Sequence, residues 1–203
     1  MATISFNHSL QFLVVVLALN SLINISLGGR QIEPNSSTEF IKTSCSSTTY
    51  PDLCCQTLLD QASEIQTSPQ LIAHAALNVT LSDVKSATES LAKLSKIHGL
   101  PPRAAQAMQG CLKELSESVE ELRKSVIEMD KIKSSNFRKM ISDIRSWVSA
   151  ALTDESTCTD GIEGENISSD EKTSVRSQIL TIAHLTSNAL ALVEDYASLS
   201  HQG

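Results

Sequence analysis

The stretch SWVSAALTDESTCTDGIEG, Ser146 to Gly164, carries an apolar helical run through Ser and Thr to a single cysteine, Cys158, and then into an acidic turn with two glycines. Upstream, SNFRKMISDIR extends the same run. Phe137, Ile141, Ile144, Val148 and Ala151 recur at spacings of three and four. That period places them on one face of a helix. The reading ends this helix at Cys158, which leaves a thiol at the tip of a rod and raises the question of its partner.

Three further stretches share the period. SPQLIAHAALNVTLSDVKSATESLAKLSKIHG opens with Ser68 as N-cap and Pro69 at the first helical position, and Gly99 stops it ahead of Pro101 and Pro102. Leu77, Val84 and Leu91 repeat along it. PPRAAQAMQGCLKELSESVEELRKSVIEMD aligns Met108, Cys111, Leu115, Val119, Leu122, Val126 and Met129. SSDEKTSVRSQILTIAHLTSNALALVEDYASL aligns Val175, Ile179, Ile182, Thr186, Ala189, Val193 and Tyr196. Helices of about 25–30 residues are roughly 40 Å long, and short connections between equal rods favour antiparallel neighbours. The expected fold is all-α, an up-and-down four-helix bundle over residues 68–199. Ahead of it, residues 38–66 read as a short α-hairpin with Pro51 opening its second helix.

Five cysteines then constrain the bundle: Cys45, Cys54, Cys55, Cys111 and Cys158. Cys45 lies across the Tyr50-Pro51 turn from Cys54 and Cys55, so a local bridge to one of them is natural. Cys111, near the start of the second bundle helix, and Cys158, at the end of the third, stand at one height in an antiparallel pair. The longer loop is worth about 4 kcal/mol and the shorter about 2.7 kcal/mol in a loop-entropy account. Cys158 is therefore read as a staple. The cysteine left over is expected to be buried and free; pairing with a second molecule, hence a dimer, is the alternative to a monomer.

Disulfides presuppose export, and the N-terminus agrees. Leu10–Leu19 is apolar except for Gln11, too short to span a bilayer, which takes about 20 residues. It leads into small residues, so residues 1–28 read as a signal peptide cleaved after Gly28. Residues 29–37 are expected to be disordered and 38–200 to form the domain. The leader holds no charged side chain, so the net charge of −7 carries over. An acidic chain is a poor partner for nucleic acid, an anionic membrane or acidic polysaccharide. After the leader only Phe40, Tyr50, Phe137, Trp147 and Tyr196 are aromatic. Five scattered rings cannot line a stacking groove for sugars or bases.

Catalytic and cofactor signatures are missing too. There is no HExxH, no GxSxG, no phosphate loop, and no ExxH pair for a di-iron bundle. His74, His98, His184 and His201 sit singly, and His74 and His184 read as flank histidines beside apolar stripes. No CxxC motif supports zinc. The expectation is no enzyme, no metal and no cofactor. Sequons at Asn35, Asn78 and Asn166 mark glycosylation candidates on an exported chain.

CSSTTYPDLC (Cys45–Cys54), the lone Cys111 in a long helix and SWVSAALTDESTCTDG together resemble the plant invertase and pectin methylesterase inhibitor family, over about residues 38–199. The resemblance implies bridges Cys45–Cys54 and Cys111–Cys158. It also implies a secreted cell-wall (apoplast) protein that forms one-to-one complexes with a carbohydrate-active enzyme. In the family the same domain also precedes pectin methylesterases as a pro-region; with Gly203 the last residue here, no catalytic β-helix is expected.

Two targets follow from the resemblance. Invertase inhibitors present a Pro-Lys-Phe turn, matched here by Pro102-Arg103-Ala104, where the cation survives as Arg103 and the aromatic is lost. Pectin methylesterase inhibitors lay the second and third bundle helices across the substrate groove. This chain is similar to them in Thr157-Cys158, with Glu117, Glu120 and Asp160 on the matching surface; Ile162 replaces a usual aromatic. A bland reading stands beside this one: Lys113 and Lys124 at helical spacing make Glu117 and Glu120 ordinary solvated pairs of about 0.2–0.5 kcal/mol each. Pectin methylesterase is the expected partner and invertase the alternative. A signalling or apolar-ligand carrier bundle is the reading from another class.

Overall fold

The computed structural model describes residues 34–96, 101–163 and 169–199. The leader, His98, Gly99, Asn166 and His201 lie outside the described residues. The described residues hold helices and no strand: α1 (Pro34–Ser46), α2 (Pro51–Leu58), a 3₁₀ turn (Leu59–Gln61), α3 (Ala62–Ile65), α4 (Pro69–Leu94), α5 (Pro102–Met129), α6 (Phe137–Glu163) and α7 (Ser169–Leu199).

The four long helices pack in a ring, α4 beside α5, α5 beside α6, α6 beside α7 and α7 back beside α4, with α5 and α6 sharing the most extensive interface. This is the four-helix bundle that the apolar period predicts. Leu77, Val84 and Leu91 from α4, Leu115 and Leu122 from α5, Ile144 and Val148 from α6, and Ile179 and Val193 from α7 all point into one core. Burial of such side chains, at roughly 1.5–3 kcal/mol each, is what holds helices of only moderate intrinsic propensity together.

Helix ends follow local chemistry. Ser68 is extended, with its Oγ accepting the Leu71 N–H at 3.3 Å, and Pro69 begins the helix. Pro102 occupies the first turn of α5 in the same way. Asn136 caps the loop before α6, its Oδ1 accepting the Lys133 N–H at 2.6 Å.

Three boundaries differ from the sequence reading. Residues 34–37, expected to be disordered, already belong to α1, where Pro34 is the first residue and Ser37 is buried. Pro suits that position because its missing N–H would have no helical acceptor. α4 ends at Leu94 with Ser95 as its C-cap, short of Gly99. α6 does not stop at Cys158 but runs on to Glu163. Ile162, one turn further, is fully buried, and that apolar contact carries the helix through Gly161.

The α1/α2 hairpin docks on α7. The Asn188 side chain copies a peptide group: its Oδ1 accepts the Tyr50 N–H at 3.0 Å and its Nδ2 donates to the Tyr50 carbonyl at 2.9 Å. The Tyr50 ring stacks on His184 with centroids 3.7 Å apart. Ser47 adds a hydroxyl bond to Asp195 at 2.8 Å. Asn188 is almost fully buried, so its loss strips the Tyr50 N–H of its acceptor, while the Tyr50 carbonyl keeps only the Cys54 N–H at 3.0 Å. Asn188→Ala is expected to lower the unfolding free energy by about 1–3 kcal/mol, read as a lower denaturant midpoint with faster amide exchange in α1 and α2.

Candidate functional site

The surface with the densest chemistry is the outer side of α5 and α6. Their antiparallel register is fixed by the Cys111–Cys158 disulfide, with Cα atoms 4.2 Å apart and both sulfurs buried. A second bridge, Cys45–Cys54, with Cα atoms 5.5 Å apart, closes the hairpin. Cys55 is free and half-buried against the core rather than fully buried.

Above the α5–α6 disulfide, α5 presents Lys113, Glu114, Glu117, Glu120 and Glu121, and α6 presents Asp154, Thr157 and Asp160 at helical spacing on one side. Carboxylate oxygens of Glu114, Glu117 and Asp154 lie within 4.8 Å of one another. Such oxygens are hard-cation donors in type, but here the Lys113 ammonium already supplies positive charge, 2.9 Å from Glu117 and 3.7 Å from Glu114. Desolvation, then the neighbouring Glu114, Glu117 and Glu121 carboxylates, push the Asp154 carboxyl up to about 6. The face is thus strongly negative, with one acid poised to titrate in mild acid.

The expected docking residues divide in the structure. Glu117, Glu120, Thr157 and Asp160 are exposed on these two helices. Glu120 pairs with Arg123 and not with Lys124, which instead bonds Glu121 at 3.1 Å. The Arg123 guanidinium holds the Glu120 carboxyl below its ordinary range. Thr157 donates its hydroxyl to the Thr153 carbonyl at 2.8 Å, a bond within the helix. Arg103 is exposed too, but in the first turn of α5; at 1.5 Å per residue it stands about 20 Å from Glu117 along the axis. Ala104, beside it, is fully buried. An aromatic ring at that position would enter the core rather than project outward.

Among the sequons, Asn78 is exposed on α4, bonding the His74 carbonyl at 3.1 Å, while Thr80 is buried. Asn35 falls within α1. His74 approaches Asp130 at 3.1 Å and His184 stacks on Tyr50, so both lie on flanks of the bundle. On the opposite side from α5 and α6, a groove of about 250 Å³ runs between α4 and α7, edged by Asp83, Ser86, Ser90, Ser177 and Thr181. Ala87, Gln178 and Ile182 complete a lining of mixed polarity.

Sequence reasoning missed the polar cluster beneath the acidic face. Glu155 is fully buried, with its Oε1 accepting the Ser118 hydroxyl at 2.7 Å and the Thr186 hydroxyl at 2.9 Å. The signal was there: 141, 144, 148, 151, 155, 158 and 162 form one continuous stripe in which Glu155 takes an apolar place.

Known proteins place this geometry in a family. The family model described as plant invertase/pectin methylesterase inhibitor matches residues 39–192. A carrot (Daucus carota) protein called "21 kDa protein" is 42% identical over 79% of this chain and 84% of its own length. Pectinesterase inhibitor 9 of Arabidopsis thaliana is 37% identical over 92% of this chain and 93% of its own. The crystal structure of a mutant form of a pectin methylesterase inhibitor from Arabidopsis superposes with a TM-score of 0.61, at 21% identity, over 76% of this chain and 95% of that one, which speaks to the fold. The apolar register, the two bridges and these likenesses converge, and the chain belongs to the plant invertase/pectin methylesterase inhibitor family.

Proposed function

We propose that the protein inhibits a pectin methylesterase by laying the acidic face of α5 and α6 over the enzyme's substrate groove in a one-to-one complex. The observation that carries this reading is the near end-to-end similarity to a relative named pectinesterase inhibitor. The buried Ala104 favours pectin methylesterase over invertase, because the Pro102-Arg103-Ala104 corner cannot display an aromatic ring. In this reading the protein has no catalytic role and acts as a rigid obstacle. It is secreted to the cell wall; no described helix is long and apolar enough to cross a membrane. Glu117, Glu120, Thr157 and Asp160 contact the enzyme, and Arg103 lies at the margin. A negative face steers toward a basic groove and raises the association rate.

Titration of a plant pectin methylesterase with the purified, oxidised protein is expected to abolish activity with a break near one equivalent, while an invertase titrated in parallel keeps its rate. Full esterase activity at tenfold molar excess rejects the reading.

A further inference from the structure

Glu155 is a carboxyl group in the centre of the bundle. α5 meets it with the Ser118 hydroxyl and α7 with the Thr186 hydroxyl. The one charged neighbour acting on it is Asp154 on its own helix, an acid like itself. The Glu114, Glu117 and Glu121 carboxylates of α5 act on Asp154 instead, and no Lys, Arg or His of α4, α5 or α7 among the described residues offsets its charge. Its second oxygen, Oε2, is buried with no hydrogen-bond partner.

The proton inventory favours a neutral acid. Thr186 has one hydroxyl proton but two acceptors in reach, Glu155 Oε1 at 2.9 Å and the Ile182 carbonyl at 3.0 Å. When Glu155 is protonated on Oε1, it donates to Thr186 Oγ1, and Thr186 passes its own proton on to Ile182. Ser118 still donates to Oε1. When Glu155 ionises, Thr186 must turn its proton back to the carboxylate. A full charge then rests on two hydroxyl donors, with Oε2 buried and without a partner. An uncompensated buried charge is strongly disfavoured.

We propose that Ser118, Glu155 and Thr186 form a proton-operated tie joining α5, α6 and α7, tight when the Glu155 carboxyl is neutral and loosened when it ionises. Burial is the main cause that pushes this carboxyl up from an ordinary 4.5 to about 7 in the folded protein, against the two hydroxyl bonds. Below pH 4.5 the group is neutral in folded and unfolded chains alike, and its contribution is fully present. Between 4.5 and about 7 the unfolded chain ionises first, so stability falls as pH rises, and the loss is complete above the folded value. The tie does not depend on which enzyme the protein meets.

Thermal unfolding of the oxidised protein at pH 5 and pH 8 tests it. The wild type is expected to melt roughly 5–10 °C lower at pH 8. Glu155→Gln, which keeps the shape of the neutral acid, should remove more than half of that difference, whereas Asp154→Asn should leave most of it. In the wild type, the Glu155 carboxyl carbon should titrate by NMR with a midpoint above pH 6. An undiminished pH dependence in Glu155→Gln overturns the proposal, as does a carboxyl midpoint near 4.5. Should the glutamine variant fail to fold, the wild-type titration alone decides.

Discussion

Replacing Cys111 and Cys158 together with alanine is expected to lower the unfolding free energy by about 4 kcal/mol. The bridge closes a loop with a sequence separation of 47 residues. Without it, the unfolded chain regains the freedom that the crosslink removed. For a domain of this size the melting temperature should drop by about 8–16 °C. The loss is large against the typical 5–15 kcal/mol that stabilises a folded domain. It is also local in its consequences, because the bridge pins one end of the α5–α6 interface. Amides around Cys111 and Cys158 should exchange faster than those at the opposite end, near Met129 and Ile141. Chemical denaturation under non-reducing conditions gives the number directly, and a loss below about 1 kcal/mol would show that packing alone sets the register.

Reversing charge on the outer face should weaken inhibition without weakening the fold. Glu117 and Asp160 are exposed, and the Lys113–Glu117 pair is a surface ion pair of small stabilising effect. The double variant Glu117→Lys, Asp160→Lys is expected to raise the inhibition constant for pectin methylesterase by about 10–100-fold. Most of the rim contribution should fall on the association rate, and the salt dependence of inhibition should shrink with it. Glu89→Lys on α4, exposed but on a different side of the ring, serves as the control and should inhibit like the wild type. Equal inhibition by the double variant and the control would move the docking face elsewhere.

How far the sequence could be read depended on how local the physics was. The long apolar stripes of α4 to α7 needed only the helical period, because each residue's burial follows from its place in the register. Ser68 and Pro69 are likewise local, and the α4 start falls where they stand. Gly161 misled for the opposite reason. A glycine suggests a stop by its own propensity, yet the burial of Ile162 on neighbouring helices outweighs the ~1 kcal/mol that a helical glycine costs.

The same held for polar residues inside the stripes. The helical period places Val119 and Val126 in the core of α5, but Ser118 and Ser125 take the innermost positions and the valines are half-buried. Ser118 is admitted because Glu155 accepts its hydroxyl proton, a partner 37 residues away. Asn188 is legible only beside Tyr50, 138 residues earlier. Such partners are fixed by tertiary packing, and no window of sequence contains both. The acidic face was partly legible. Glu117, Glu120 and Asp160 could be placed on the surface, while Asp154 owes its raised proton affinity first to desolvation on packing and then to the Glu114, Glu117 and Glu121 carboxylates of α5.

Hydrogen exchange on the protein alone and mixed with an equimolar pectin methylesterase tests the docking account most directly. Exchange is expected to slow along residues 113–124 of α5 and 150–161 of α6 in the mixture, with α4 and the far side of α7 unchanged. Slowing confined to α4, α7 or the α1/α2 hairpin, with α5 and α6 untouched, would contradict it.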